Sequence, residues 1–198
     1  DDFVETGSSV FGFNEDFNGE SQEGIGYYQT TQKNGKRCSA AKAYLVPALE
    51  RENLTVLTDT NVNKILVNDS RATGVSCIGE DGEEFILNAT KEVLLSSGAF
   101  GSPQILLRSG IGPEQEITKH GIEHKVDLPG VGKNLQDHID YLSVHKYKSL
   151  NLFGFSLGTI FLKYPYELIK YILIKTGMFT STVAEAGGFI RSRNDITV

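Results

Sequence analysis

The stretch from Glu92 to Gly112 holds the densest set of residues that could do chemistry. It reads Glu-Val-Leu-Leu-Ser-Ser-Gly-Ala-Phe-Gly-Ser-Pro-Gln-Ile-Leu-Leu-Arg-Ser-Gly-Ile-Gly. Val93, Leu94 and Leu95 form an apolar run too short for a core helix and fit a buried strand. Gly98 and Gly101 then allow a sharp turn, or the approach of a ligand to bare backbone. Ser102 is placed as an N-cap, Pro103 as the first helical residue and Gly110 as the C-terminal stop. A helix start of this kind offers backbone N–H groups to a polar or anionic cofactor. The same spacing suits an ordinary strand-to-helix connection, and on spacing alone both readings stand.

Other chemistry-bearing residues are sparser. Asp137 adjoins His138, and a carboxylate beside an imidazole can orient it or hold its charge near neutral pH. Glu185 is the one acid in a small, apolar stretch. It is suited either to attracting a cationic group or to pairing with Arg191. His120, His124 and His145 show no metal-ligand spacing and read as surface or loop residues. Cys38 and Cys77 match no metal or redox spacing and read as two reduced thiols, so no metal site is expected.

The elements that must position these residues follow from periodicity. Residues 1 to 24 read as loop with one helical turn at the start. Gly26 to Thr31 suits a strand, followed by an Asn34-Gly35 turn. A helix is expected from Ser39, interrupted at Pro47, with a second short helix over Ala48 to Arg51. Strands are expected at Leu54–Thr58, Val62–Val67, Ala72–Ile78, Glu83–Leu87 and Val93–Leu95, with Asp81-Gly82 marking a hairpin. A short helix fits Pro113 to Lys119, stopped at His120-Gly121, and Asp127 to Asn134 reads as loop. Tyr141 to Tyr147 suits a strand. Phe155 to Lys175 is apolar with helical spacing, and Lys163, Pro165, Glu167 and Lys170 exclude a membrane span. It reads as two helices packed on their own domain, with a surface-lying membrane helix as the alternative.

Composition narrows the function classes. At 198 residues the chain can form one domain, or one domain and part of another. A net charge of −6, with basic residues read as neither in excess nor clustered, gives no indication of nucleic-acid binding. Asn53, Asn68 and Asn88 head glycosylation triplets, which carry meaning only in a secreted protein. The chain starts at Asp1-Asp2-Phe3 with no initiator Met, signal peptide or targeting run, and reads as a piece of a longer protein.

Four separated stretches resemble the glucose-methanol-choline (GMC) oxidoreductases, flavin enzymes that oxidise alcohols. Gly98 to Gly112 is similar to the second signature of that family, in order and spacing. Gly35-Lys36-Arg37-Cys38-Ser39-Ala40-Ala41-Lys42-Ala43-Tyr44-Leu45 resembles the segment preceding the adenine-binding strands. Asp127-Leu128-Pro129-Gly130-Val131-Gly132-Lys133-Asn134-Leu135-Gln136-Asp137-His138 resembles the loop between flavin and substrate domains. Ala184-Glu185-Ala186-Gly187-Gly188-Phe189-Ile190-Arg191 is similar to a strand of the choline dehydrogenase and bacterial alcohol dehydrogenase branch. The family's first fingerprint, Gly-x-Gly-x-x-Gly, is not in this chain. Gly130-Val131-Gly132 lacks the third glycine and opens no helix.

The resemblance implies a mixed α/β fold: a partial FAD-binding, Rossmann-like domain with a β-meander, plus part of an α+β substrate-binding domain. It implies a cap or substrate segment over 1–36, the central FAD-binding part over 37–138, and the start of the substrate domain over 139–198. Cofactor contacts are expected at Val62, through its backbone to adenine, and at Ser97, Gly98 and Ala99 beside the flavin nucleotide. Asn134, Asp137 and His138 are expected in a hydrogen-bonded loop near the flavin, and Glu185 near the substrate. The family's catalytic histidine lies downstream of these residues, so no catalytic residue is assigned here. The implied activity is hydride transfer from an alcohol to FAD, giving an aldehyde or ketone, with oxygen or a quinone as electron acceptor. The isolated piece is expected to be inactive. A flavin-containing lyase of the same family and a non-catalytic binding module are the alternatives. No nucleic-acid partner is expected; peripheral membrane contact stays open, and the location is expected to be cytoplasmic or at the inner membrane.

Overall fold

A computed structural model describes residues 2–145 and 154–193. Two compact units divide the chain. One comprises Asp1–Leu54 with Val144–Val198, the other Thr55–Ser143.

In the first unit, helix α1 (Asp2–Phe11) precedes strand β1 (Gly24–Tyr27), which pairs antiparallel with the late strand β9 (Ala186–Phe189). The sequence predicts only one helical turn at the start because Gly7, Ser8 and Ser9 are weak helix formers. Tertiary packing overrides that: Val4 is buried, and the Ser8 and Ser9 hydroxyls donate to the carbonyls of Glu5 and Thr6. Val4, Phe17 and Ile25 are the buried apolar residues, and the Phe17 ring packs against Tyr28 and Phe189 at 5.7 and 5.4 Å. β1 starts two residues before the expected strand and ends at Tyr27.

The Asn34-Gly35 turn joins β2 (Gln32–Lys33) to β3 (Lys36–Arg37) as expected. The helix expected from Ser39 is one π-helical turn, Ala41–Leu45, followed by a 3₁₀ turn, Val46–Ala48. No second helix forms over Ala48 to Arg51. Further along, a π-helical turn, Thr159–Lys163, leads directly into helix α4 (Tyr164–Ile174). Pro165 does not break this run; it follows directly on the π-helical turn, whose last bond runs from the Tyr164 N–H to the Thr159 carbonyl. The expected packing of this run is not found. No residue of α4 is buried, and Leu157, Phe161, Leu162 and Leu173 are each 70% exposed or more. Apolar side chains occupy more than one face of it, so no single stripe can be buried. The first turn of α4 is tied to the 3₁₀ turn that follows the helix, Met178–Thr180, where Glu167 Oε2 accepts the Met178 N–H at 2.8 Å. Residues 141 to 145 form no strand, and the rest of that expected element lies outside the described residues.

In the second unit, β4 (Asn61–Asn68), β5 (Arg71–Ile78) and β6 (Glu84–Asn88) form an antiparallel meander in that order. β4 carries irregularities between Val62 and Lys64 and between Leu66 and Val67. The Asp81-Gly82 turn joins β5 to β6, and Gly82 has φ +79°. Helix α2 (Gly98–Arg108), strand β7 (Ile111–Gly112), helix α3 (Glu114–Thr118) and strand β8 (Val126–Asp127) follow. β7 and β8 pair in parallel, with Ile117 on α3 only 1% exposed beneath that crossover. Two expected strands are missing. Leu54–Thr58 and Val93–Leu95 pair with no other strand among the described residues, and Leu94 is 81% exposed. An apolar run becomes a strand only where another strand satisfies its backbone, and here none does.

Glu23 and Arg191 flank the β1–β9 pair and close it with a two-pronged ion pair. Arg191 Nε donates to Glu23 Oε1 at 2.8 Å, and Nη2 reaches Oε2. The Arg191 guanidinium holds the Glu23 carboxyl below the usual glutamate range, first by hydrogen bonding and then by charge. A depressed folded-state pKa stabilises fully above the unfolded value and is lost as pH falls through the folded one. An NMR titration is expected to show Glu23 titrating below the usual glutamate range and moving back toward it in R191Q. An unchanged midpoint in that variant would contradict the pairing.

Candidate functional site

The glycine turn builds its local structure differently from the sequence expectation. α2 begins at Gly98, five residues before Pro103, with Ser97 as its N-cap. Ser102 therefore lies inside the helix and does not cap it. Its hydroxyl instead accepts the Ser97 N–H at 3.0 Å, pinning the entry of the chain. Pro103, placed inside the helix, brings no N–H to the carbonyl of Ala99, four residues earlier. Gly98 has φ +80°, and a Cβ built there would meet nothing within 4 Å. The backbone turn demands glycine, and the space beside it is open. No side chain caps α2, so the N–H groups of Gly98, Ala99 and Phe100 have no intrahelical acceptor. All three residues are exposed.

The other end of α2 is fixed. Gly110, at φ +81°, ends the helix as expected, and a Cβ there would lie 2.2 Å from the Glu123 carbonyl. Ser109 is 4% exposed and bridges two elements. Its hydroxyl donates to the Ile105 carbonyl at 2.5 Å and accepts the Ile65 N–H of β4 at 2.8 Å. The Arg108 guanidinium donates to the side-chain oxygen of Asn63. Gly110 also accepts the Lys125 N–H at 2.8 Å, which starts the parallel β7–β8 pair. The free N–H groups at Gly98 thus stand about 15 Å along the axis from these anchors, at 1.5 Å per residue.

Val62 is half-buried on β4, opposite Cys77 and one residue before Asn63, the residue that Arg108 holds. The structure therefore joins Val62 and the Ser97–Ala99 turn through one helix. Asn134, Asp137 and His138 lie in an exposed segment without regular structure, with Asn134 at φ +54°. Asp137 Oδ1 accepts the main-chain N–H of His138 at 2.8 Å, so this bond shapes the backbone and does not orient the imidazole ring. In the first unit, exposed Glu185 precedes β9 and accepts the Tyr28 N–H through its main-chain carbonyl at 2.9 Å. The pairing of Arg191 with Glu185 allowed by the sequence is overturned, since Arg191 binds Glu23, across the strand pair. His124 Nε2 lies 3.2 Å from the Gly112 carbonyl, a structural contact from the segment before β8 to β7.

Sequence reasoning missed Ser109 and Glu84. Buried Ser76 donates to Glu84 Oε1, and Asn63 Nδ2 approaches the same oxygen at 3.5 Å. The Ser76 hydroxyl, then Asn63, hold the Glu84 carboxyl below its usual range. Burial pushes the Cys77 thiol up, as befits an unreactive core cysteine. The only sequence signal for Ser109 is a small hydroxyl residue just before a helix-stopping glycine.

Comparison with known proteins identifies this arrangement. The family model described as GMC oxidoreductase matches residues 3–140, and the chain belongs to that family. The alcohol dehydrogenase [acceptor] of Pseudomonas putida is 42% identical over 195 residues, 96% of this chain and 35% of that protein. The oxygen-dependent choline dehydrogenase of Staphylococcus saprophyticus is 41% identical over 181 residues, 91% of this chain and 32% of that protein. An FAD-dependent oxidoreductase from Chaetomium thermophilum superposes with a TM-score of 0.77 at 27% identity, covering 93% of this chain and 33% of that one. Formate oxidase of Aspergillus oryzae gives 0.73 at 27% identity, over 93% of this chain and 32% of that one. The chain therefore spans about a third of the length of the curated relatives it matches.

Replacing Ser109 by Ala leaves the buried Ile65 N–H without its acceptor, a loss of about 1–3 kcal/mol. S109A is expected to lower the unfolding midpoint of the flavin-free protein and to speed hydrogen exchange at Ile65. Unchanged exchange at Ile65 would contradict the bridge.

Proposed function

We propose that this chain is the central part of an FAD-dependent oxidoreductase acting on the CH–OH group of alcohols. One observation carries the reading. Within the family's signature stretch, the exposed N–H groups of Gly98, Ala99 and Phe100 have no intrahelical acceptor, and bare backbone at Gly98 leaves open space where a Cβ would stand. That cradle fits the close passage of a dinucleotide cofactor along bare backbone. Ser97, Gly98 and Ala99 would hold it at the helix start, and the Val62 backbone would meet the adenine. When bound, FAD supplies the hydride-accepting chemistry that turns an alcohol into an aldehyde or ketone.

The chain's own contribution is to bind and orient. Ser102 fixes the Ser97 N–H, and Ser109 and Arg108 set the axis of α2 from its far end. Asn134, Asp137 and His138 would support the flavin from their loop and leave proton removal to a base outside this stretch. We assign 37–138 to the flavin-binding domain and the flanking residues to the cap and substrate domain. The compact unit Thr55–Ser143 overlaps most of the former. Glu185 would face a cationic alcohol. The names of the Pseudomonas and Staphylococcus relatives support alcohols, choline among them, as the substrate class.

A quinone taken up at a membrane surface is the acceptor reading favoured by the apolar run from Leu157 to Ile174, which exposes Leu157, Phe161, Ile169 and Leu173. Among the described residues, no helix is long and apolar enough to cross a membrane. Such contact would lie in the interface plane, with the protein held in the cytoplasm or against the inner membrane.

A matched pair of glycine variants tests the cradle in the full-length protein. Gly98 and Gly82 have φ +80° and +79°, and a Cβ at either meets nothing within 4 Å. G98A and G82A thus share a backbone strain of about 1–2 kcal/mol. Only G98A is expected to lower the flavin content and the anaerobic bleaching of the flavin by choline or a primary alcohol. Equal flavin content and bleaching in both variants would contradict the assignment. Readmitting oxygen or a soluble quinone then identifies the acceptor.

A further inference from the structure

The fold adds Lys175 to a run of positive charge, Lys33, Lys36, Arg37 and Lys42, that lies within ten residues of the sequence. In the first unit, an open cleft of about 810 Å³ lies between the β2–β3 hairpin and the C-terminal end of α4. Lys33, Lys36, Arg37, Lys42 and Lys175 line it, and among the described residues no carboxylate does. These are five of the nineteen basic residues in a chain that has twenty-five acidic ones. The ion pairs of Lys125 with Glu123 and of Arg191 with Glu23 involve none of the five.

The arrangement costs stability where it stands. Lys33 and Lys36 are directly opposite in the hairpin register, a like-charged cross-strand pair that disfavours the strand pairing. The turn between them holds this geometry, with Asn34 at φ +53° and Gly35 at +65°. A Cβ on Gly35 would lie 2.5 Å from the Lys175 carbonyl, so the hairpin tip fits closely against the end of the helix. The helix C-terminus offers only about half a negative charge. That cannot balance five cations, even with Lys175 Nζ placed 4.8 Å over the Tyr171 ring.

We infer that the cleft between the β2–β3 hairpin and the end of α4 binds a small phosphate-bearing anion. A cleft lined by one sign of charge concentrates its field and draws in the opposite charge. Lysine and arginine donors bind phosphate oxygens by charge-assisted hydrogen bonds. Its volume is that of a ligand site and leaves room for more than a bare phosphate group. None of its lining residues is among the flavin contacts assigned to Val62 and Ser97–Ala99.

The test is calorimetric titration of inorganic pyrophosphate into the full-length, flavin-loaded protein at low salt. Saturable binding is expected, weakening steeply as salt is raised. K33Q/K36Q is expected to weaken it about tenfold or more, and K91Q, at an exposed lysine outside the cleft, to leave it unchanged. K33E separates binding from folding. It turns the repulsive cross-strand pair into an attractive one, so it should keep or raise thermal stability while abolishing binding. No saturable binding to the wild type, or full binding by K33E, would overturn the proposal. So would binding confined to flavin-free protein, because the cleft would then be part of the flavin site. Flavin absorbance is read separately, so a failure of the flavin assignment is not confused with a failure here.

Discussion

The hydroxyl of Ser109 is the interaction on which the candidate site depends. β4 is the edge of the meander, and an edge strand presents backbone groups that need partners. Ser109 satisfies the Ile65 N–H of that edge and at the same moment a carbonyl of the last turn of α2. It is buried, so water cannot substitute for it cheaply. The Arg108–Asn63 contact and the Gly110 turn fasten the same end of the helix. The far end, with Gly98 and its unpaired N–H groups, is aimed through the rigidity of three helical turns. Structure and function divide along one element: its C-terminus is spent on the fold and its N-terminus is left available.

Much of the second unit was legible because its signals are local. The meander strands alternate, the Asp81-Gly82 turn carries its own chemistry, and Gly110 stops α2 where a helix-ending glycine should. Errors arose where the outcome depends on distant partners. Val93 to Leu95 has strand composition, yet a strand exists only beside another strand. α1 has weak helix formers and exists because Val4 and Ile25 are buried in the same unit. Ser102 and Pro103 look like a helix start, but the positive φ at Gly98 lets the helix begin earlier. The family signature itself was readable, since spacing along the chain is what a motif records. The Ser109 bridge was not, since it joins residues 44 positions apart.

Charge shows the same division. The sequence reading takes the basic residues of this acidic chain as unclustered, although Lys33, Lys36, Arg37 and Lys42 fall within ten residues. Folding brings Lys175 to the hairpin that carries Lys33, Lys36 and Arg37. A cross-strand lysine pair is a local conflict of the kind that persists where function repays it. The Glu23–Arg191 pair makes the contrast, for there opposite charges close a strand pair and serve the fold alone.

The central claim is that the start of α2 holds the cofactor. Hydrogen exchange of the full-length protein, with and without FAD, tests it most directly. The account predicts that flavin slows exchange at Gly98, Ala99 and Phe100, whose N–H groups otherwise have no intrahelical acceptor, while Ile65, already held by Ser109, changes little. Equal exchange at Gly98 to Phe100 with and without flavin would contradict it.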